Sequence, residues 1–181
     1  MHVEEGDKSW FINDLQNLKK QNPKMIDIVD ISALPKDLWL PRLEVADVLF
    51  FSGGNSSHLM HWLEKSELAE LLPTLLKTRV YAGISAGSIV AAPTLELSSK
   101  DKRLYYEENF GYKNKKALGL VHFHVRPHFD SPHFPHVTAE KVKEIADEMQ
   151  ETIYLLDDQS AVKVDGDTVE VISEGKWMKF N

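Results

Sequence analysis

Cysteine is absent from the chain. That one absence removes disulfides, thiolate metal sites and a cysteine nucleophile together. Long apolar runs are missing too. No stretch approaches the ~18 residues a membrane-spanning helix needs, so no membrane partner is expected. Nor is there an extended basic run: 28 Asp and Glu outnumber 21 Lys and Arg, for a formal charge of −7. A nucleic-acid partner is therefore not expected. The opening MHVEEGDKSW is acidic and polar, unlike a secretory leader, and a cytoplasmic location is the expectation. No internal repeat or low-complexity linker breaks the chain. The composition is that of a globular protein, 43% hydrophobic and 27% charged, and 181 residues suit a single domain, 1–181, with a full core.

Hydrophobic periodicity predicts the elements. Residues 8–20 (KSWFINDLQNLKK) put Trp10, Phe11, Leu15 and Leu18 at helical spacing, and Asn22-Pro23 stops the run. Residues 25–31 (MIDIVDI) alternate and are β-branched, which predicts a strand. A short helical connection follows over 34–43. Residues 45–51 predict a buried strand running into Ser52-Gly53-Gly54-Asn55, with helices over 57–65 and 68–77. Residues 79–84 (RVYAGI) predict a strand ending at Ser85, and a helix over 86–92 is closed by Pro93. Residues 97–116 are polar, aromatic and irregular, as in a long surface loop. A strand over 118–125 ends in Arg126-Pro127-His128-Phe129. An amphipathic helix over 138–149 has Thr138 as its N-cap, and a strand over 153–156 ends in Asp157-Asp158. Residues 161–164, 168–172 and 177–180 finish as β-hairpin strands around the turn Asp165-Gly166-Asp167. Strands alternating with helices imply an α/β fold: a mainly parallel sheet in three layers, helices on both faces, and a small antiparallel C-terminal hairpin.

In such sheets, sites form where strands end at their carboxyl edge. Four strand ends carry chemistry here: Gly53-Gly54-Asn55, Ser85, His128 and Asp157-Asp158. Gly83-Ile84-Ser85-Ala86-Gly87 fits the nucleophile pattern G-x-S-x-G between a strand and a helix. A serine there occupies a sharp turn at a helix N-terminus, where amides and dipole favour developing negative charge. The plain alternative is a tight turn built of small residues.

A serine hydroxyl needs a base. Of eight histidines, His128 follows Pro127 at a strand end, on the edge that should meet Ser85. His122 and His124 are better read as packed histidines on the strand. His122, His124, His128, His133 and His136, with Asp130, also admit a metal site, but nothing in their spacing establishes a third ligand. The third group of a triad must orient the imidazole. Asp157 and Asp158 are the candidates, and their alternation lets at most one reach His128. The order Ser…His…Asp differs from the Ser…Asp…His of an α/β-hydrolase, which would need Asp101 or Asp130 as its acid. Ala86 supplies one natural oxyanion amide, and the Gly53-Gly54-Asn55 turn a second.

The segments FFSGGNSSHLM, VYAGISAGSIVAAPT, ALGLVHFHVRPHF and YLLDDQSAV together resemble the peptidase E group of serine peptidases. That group includes aspartyl dipeptidase and, more distantly, cyanophycinase. The resemblance implies a class I glutamine amidotransferase-like fold with serine in the nucleophile position. Residue by residue it implies Ser85 as nucleophile, His128 as base, Asp158 rather than Asp157 as acid, and Gly54 and Ala86 as oxyanion amides. It places Asn55 on the substrate pocket. Aspartyl dipeptidase holds its substrate's aspartate with an arginine near the start of the helix after the base. The corresponding place here is near Thr138, and no arginine follows Arg126. Strict aspartyl specificity is therefore not expected, and Arg126 or the nearby histidines become the candidate substitutes.

Family members also begin with two further strands, so the resemblance implies a chain shortened at its N-terminus with an exposed sheet edge. An unpaired edge invites pairing, which makes a homodimer the expectation. The function expected is cofactor-free serine hydrolysis of dipeptides or short peptides. The alternative is a non-catalytic, shortened member acting as a binding or assembly module.

Overall fold

The computed structural model describes residues 9–100 and 115–181. Helix α1 (Ser9–Lys20) closes on Lys19 and Lys20, whose charges suit the negative end of the helix dipole. None of its residues is fully buried; it docks by one face. Helix α2 (Lys36–Glu44) buries only Trp39. Strand β1 (Val48–Phe51) leads to α3 (Ser56–Lys65), α4 (Leu68–Leu75) and β2 (Val80–Gly83), and then to the short α5 (Ala86–Ile89). Helix α6 (Glu96–Lys100), β3 (His124–Arg126), α7 (Ala139–Ala146) and β4 (Ile153–Leu156) follow, then β5 (Ser160–Asp165), β6 (Thr168–Ser173) and β7 (Trp177–Phe180).

Among the described residues the strands form three ladders. β1 and β2 pair in parallel, Val48 opposite Val80 and Phe51 opposite Gly83. β3 and β4 pair in parallel, with β7 antiparallel on the far side of β4. β5 and β6 form the hairpin. The result is an α/β fold with parallel and antiparallel pairs. Each parallel pair aligns the carboxyl ends of its strands, which puts the residues after β1 beside those after β2, and the residues after β3 beside those after β4.

Several expectations are corrected. Residues 25–31 belong to no ladder. Alternation reports burial, not pairing: Val29 and Ile31 pack on the core, while Met25, Ile26 and Ile28 stand exposed. The segment is instead tied to α2, where Arg42 pairs with Asp27 and donates to the Ile28 carbonyl at 2.9 Å. The strand expected over 118–125 shrinks to His124–Arg126. The amides of Leu118, Gly119, Leu120 and Val121 go to carbonyls of Val90, Ala92 and Ala91 at the end of α5, satisfying acceptors that a helix end leaves open. The loop expected over 97–116 begins inside α6, with Leu97 buried; residues 101–114 lie outside the described residues. β7 is not part of the hairpin but closes β4.

One core cluster gathers Trp39, Leu49, Leu63, Leu72 and Val90 beneath β1. A second joins α7 to β4 through Val142, Ile145, Ile153 and Leu155. Thr138 caps α7, its hydroxyl accepting from the Lys141 amide at 3.3 Å, as its residue type implies. The two faces of the β1–β2 pair differ. Leu49 is buried, whereas Val48, Phe50 and Val80 are exposed, so that face is not covered by a helix layer among the described residues. No helix among the described residues is long and apolar enough to cross a membrane.

Burial sets the expected cost of truncation. Leu63→Ala, at a fully buried position, should destabilise by about 2–5 kcal/mol. Val45→Ala, 76% exposed and away from that face, should stay within about 0.5 kcal/mol. Chemical denaturation of both variants checks this; equal losses would mean that burial does not set the cost.

Candidate active site

The turn after β2 is built by two close approaches. A Cβ on Gly83 would stand 2.5 Å from the Gly87 carbonyl, and one on Gly87 would overlap the Phe51 carbonyl oxygen of β1. Only glycine fits at either place. Between them Ser85 is held at φ 51° and ψ −111°, a region L-residues rarely occupy, at a cost of about 1–3 kcal/mol. The Ser88 hydroxyl donates to the Gly83 carbonyl at 2.8 Å, and the Tyr81 phenol to the Gly87 carbonyl at 2.6 Å. Burial pushes the Tyr81 phenol well above its ordinary pKa, so it stays a donor and clamps the turn.

Ser85 Oγ lies 2.9 Å from His128 Nε2. His128 Nδ1 lies 2.8 Å from Asp158 Oδ1. An ionised carboxylate only accepts, so the proton sits on Nδ1 and leaves the Nε2 lone pair to the serine hydroxyl. His128 itself takes a left-handed backbone, φ 70°, just past the end of β3. Its ring stacks on Phe134 at 4.0 Å between centroids and 10° between planes. Phe134 in turn packs on the α7–β4 cluster. Sequence patterning did not single it out: it sits in an irregular loop, and its partner is set by chain reversal.

The two aspartates after β4 divide. Asp158 faces His128. Asp157 builds the turn, accepting from the Gln159 amide at 3.0 Å, the Ser160 hydroxyl at 2.6 Å and the Lys176 amide. Burial works to raise the Asp157 pKa, but those hydrogen bonds and the Lys176 charge hold it below the ordinary carboxylate value.

Other candidates are placed as follows. Ala86 is the first residue of α5 and buried, so its N–H has no acceptor within the helix. The Gly53-Gly54 turn lies against Ser85: a Cβ on Gly53 would sit 3.4 Å from the Ser85 Cβ and 3.8 Å from its Oγ. Gly54 has φ 127°. Asn55 caps α3, its side-chain oxygen accepting from the His58 amide at 3.0 Å. Arg126 is buried, 7% exposed. His124 is buried in β3, and burial lowers its pKa, while His122 and His133 are exposed. Asp130 is bound to Lys176 at 3.0 Å, and Asp101 lies outside the described residues. Among the described residues no three His, Asp or Glu side chains converge to hold a metal ion. Helix α1 also reaches the site. The Trp10 ring lies 3.4 Å from where a Gly53 Cβ would stand, and Asp14 interacts electrostatically with His128. The spacing of Trp10 and Asp14, four residues apart, marks a shared helix face but not what that face meets.

A family model, Peptidase family S51, matches residues 4–172. A Peptidase E of Streptomyces coelicolor is 32% identical over 134 residues, covering 71% of this chain and 53% of its own length. An uncharacterized peptidase of Pasteurella multocida is 27% identical over 162 residues, covering 88% of this chain and 75% of its own. The chain thus spans about half the length of the Streptomyces relative. A solved structure of a candidate Peptidase E protein from Listeria monocytogenes superposes with a TM-score of 0.79, at 22% identity, over 94% of this chain and 81% of that one. At that identity the likeness is one of fold.

The two aspartates should separate in experiment. Asp157→Asn should cost about 1–3 kcal/mol of stability and leave Ser85 reactive toward a fluorophosphonate probe. Because the Asp157 pKa is lowered on folding, its contribution is present at neutral pH and lost as pH falls through the folded value. The gap in melting temperature between Asp157→Asn and the parent should therefore close in acid. Asp158→Asn should leave melting almost unchanged and slow probe labelling at least about tenfold.

Proposed function

The chain belongs to peptidase family S51, and from that footing we propose that it is a serine peptidase acting on dipeptides or short peptides. The observation that carries the proposal is the continuous relay Ser85 Oγ–His128 Nε2 and His128 Nδ1–Asp158 Oδ1, at 2.9 and 2.8 Å.

In this mechanism Ser85 Oγ attacks the peptide carbonyl while its proton passes to His128 Nε2. Asp158 keeps the imidazole in the correct tautomer and stabilises its charged form. The oxyanion is met by the amides of Ala86, where α5 begins, and of Gly54, in the turn after β1. The tetrahedral intermediate collapses as His128 protonates the leaving amine. Water then attacks the acyl-enzyme, giving its proton to His128, and the carboxylic product leaves as that proton returns to Ser85 Oγ. No step calls for a cofactor. Asn55, with its amide nitrogen left over from capping, and Arg126 are the proposed substrate contacts. A homodimer completes the proposal: the exposed Val48, Phe50 and Val80 give a second copy an apolar face to cover. Light scattering should return twice the chain mass; a stable monomer removes that part.

The main test is hydrolysis of a mixed dipeptide and tripeptide library read by mass spectrometry. The parent protein should cleave a subset, and Ser85→Ala should lower kcat/KM by at least about 10³-fold. Cleavage surviving in Ser85→Ala would refute the serine mechanism. Folded protein that neither cleaves nor labels at Ser85 would favour a non-catalytic binding module.

A further inference from the structure

Helix α1 brings an aromatic ring to the Gly53 turn beside Ser85 and a carboxylate within electrostatic reach of His128. Trp10 lies against the Gly53 turn, and the point where a Gly53 Cβ would stand is both 3.4 Å from the Trp10 ring and 3.8 Å from Ser85 Oγ. Asp14 follows one turn later on the same helix face. Both residues are half-buried. Asp14 makes no hydrogen bond or ion pair with any described residue; the interaction it does make is electrostatic, with His128. Burial raises its pKa, and the neighbouring imidazole opposes that rise.

A half-buried carboxylate without a partner is unfavourable for the protein alone. It is useful where a cation arrives with the ligand. When a scissile carbonyl sits at Ser85 Oγ, the amino group of an N-terminal residue is one carbon away on the acyl side. A lysyl ammonium on that same residue lies farther out along the chain. The triad does not call for an acid at this place. No arginine follows Arg126, while a half-buried carboxylate is present on α1.

We propose that Asp14 is the anionic contact for an ammonium group on the acyl side of the substrate, with Trp10 as the apolar wall beside it. This rests on the serine peptidase function proposed above. It makes cationic peptides, whether through a free amino terminus or a lysyl side chain, the preferred class.

Binding to the full-length Ser85→Ala protein tests the contact without turnover. Three probes are titrated by ligand-observed NMR: a pool of neutral-side-chain dipeptides with free amino termini, the same pool N-acetylated, and N-acetyl-lysyl dipeptides. At least one cationic set should bind tenfold or more tightly than the neutral acetylated pool. Tight binding of the free pool alone assigns the α-amino group; binding of the N-acetyl-lysyl set assigns the side chain. Adding Asp14→Asn should abolish the preference, Asp14→Glu should retain most of it, and raising the salt should weaken it even without an Asp14 substitution. Equal binding of all three probes, no binding by the cationic sets, or a preference unchanged in Asp14→Asn would overturn the proposal. So would an Asp14→Asn enzyme whose kcat falls equally on every substrate with KM constant, because the charge would then act on His128 alone. Fluorophosphonate labelling of the unsubstituted protein keeps the two proposals apart. Labelling at Ser85 without a cation preference sinks only the Asp14 contact. Absence of labelling counts against the peptidase, and the binding result still decides Asp14.

Discussion

The site depends first on how tightly β2, α5 and β1 meet. Gly83 and Gly87 remove the two side chains that would keep the strand and helix apart, and the backbone at Gly87 presses on the Phe51 carbonyl. Ser85 is left with the strained conformation that results. Strain of this kind persists only where the surroundings over-determine it. Here the Tyr81 phenol and Ser88 hydroxyl hold the turn from both sides, above a core that includes fully buried Leu63, Leu72 and Val90.

Ser85 and His128 come from different ladders. Ser85 follows the β1–β2 pair, whereas His128 and Asp158 follow the β3–β4 pair. The relay therefore works only if the two pairs keep a fixed relation, and residues 118–121 contribute to that. By spending their amides on the end of α5, they give up strand pairing and fasten the chain entering β3 to the helix that follows Ser85. Phe134 then sets the plane of the His128 ring, and Asp157 shapes the turn from which Asp158 reaches it. One aspartate is spent on structure so that its neighbour is aimed.

Much of this was legible in the residues. G-x-S-x-G between an apolar strand and a helix is a local pattern with a local cause, and Pro127-His128 after a strand is nearly so. The 153–156 strand matched its observed bounds because all four of its residues are buried and its flanks are polar. Residues 25–31 show the opposite case. Their alternation is real, yet a strand exists only with a neighbour to pair with, and pairing is not written in any one segment. For the same reason alternation allowed only one of Asp157 and Asp158 to face the histidine without saying which.

Local chemistry was enough to name the strand ends, the glycines around Ser85, the cap at Thr138 and the residue types of a serine relay, since each rests on neighbours within a few positions. Three things rest on long-range packing: the 2.9 Å approach of Ser85 to His128, the 2.8 Å approach of Asp158 to His128, and the arrival of α1, with Trp10 at the Gly53 turn and Asp14 within electrostatic reach of His128. They join residues that are dozens of positions apart. What sets such distances is how whole elements pack against one another, a property that no short stretch of chain possesses.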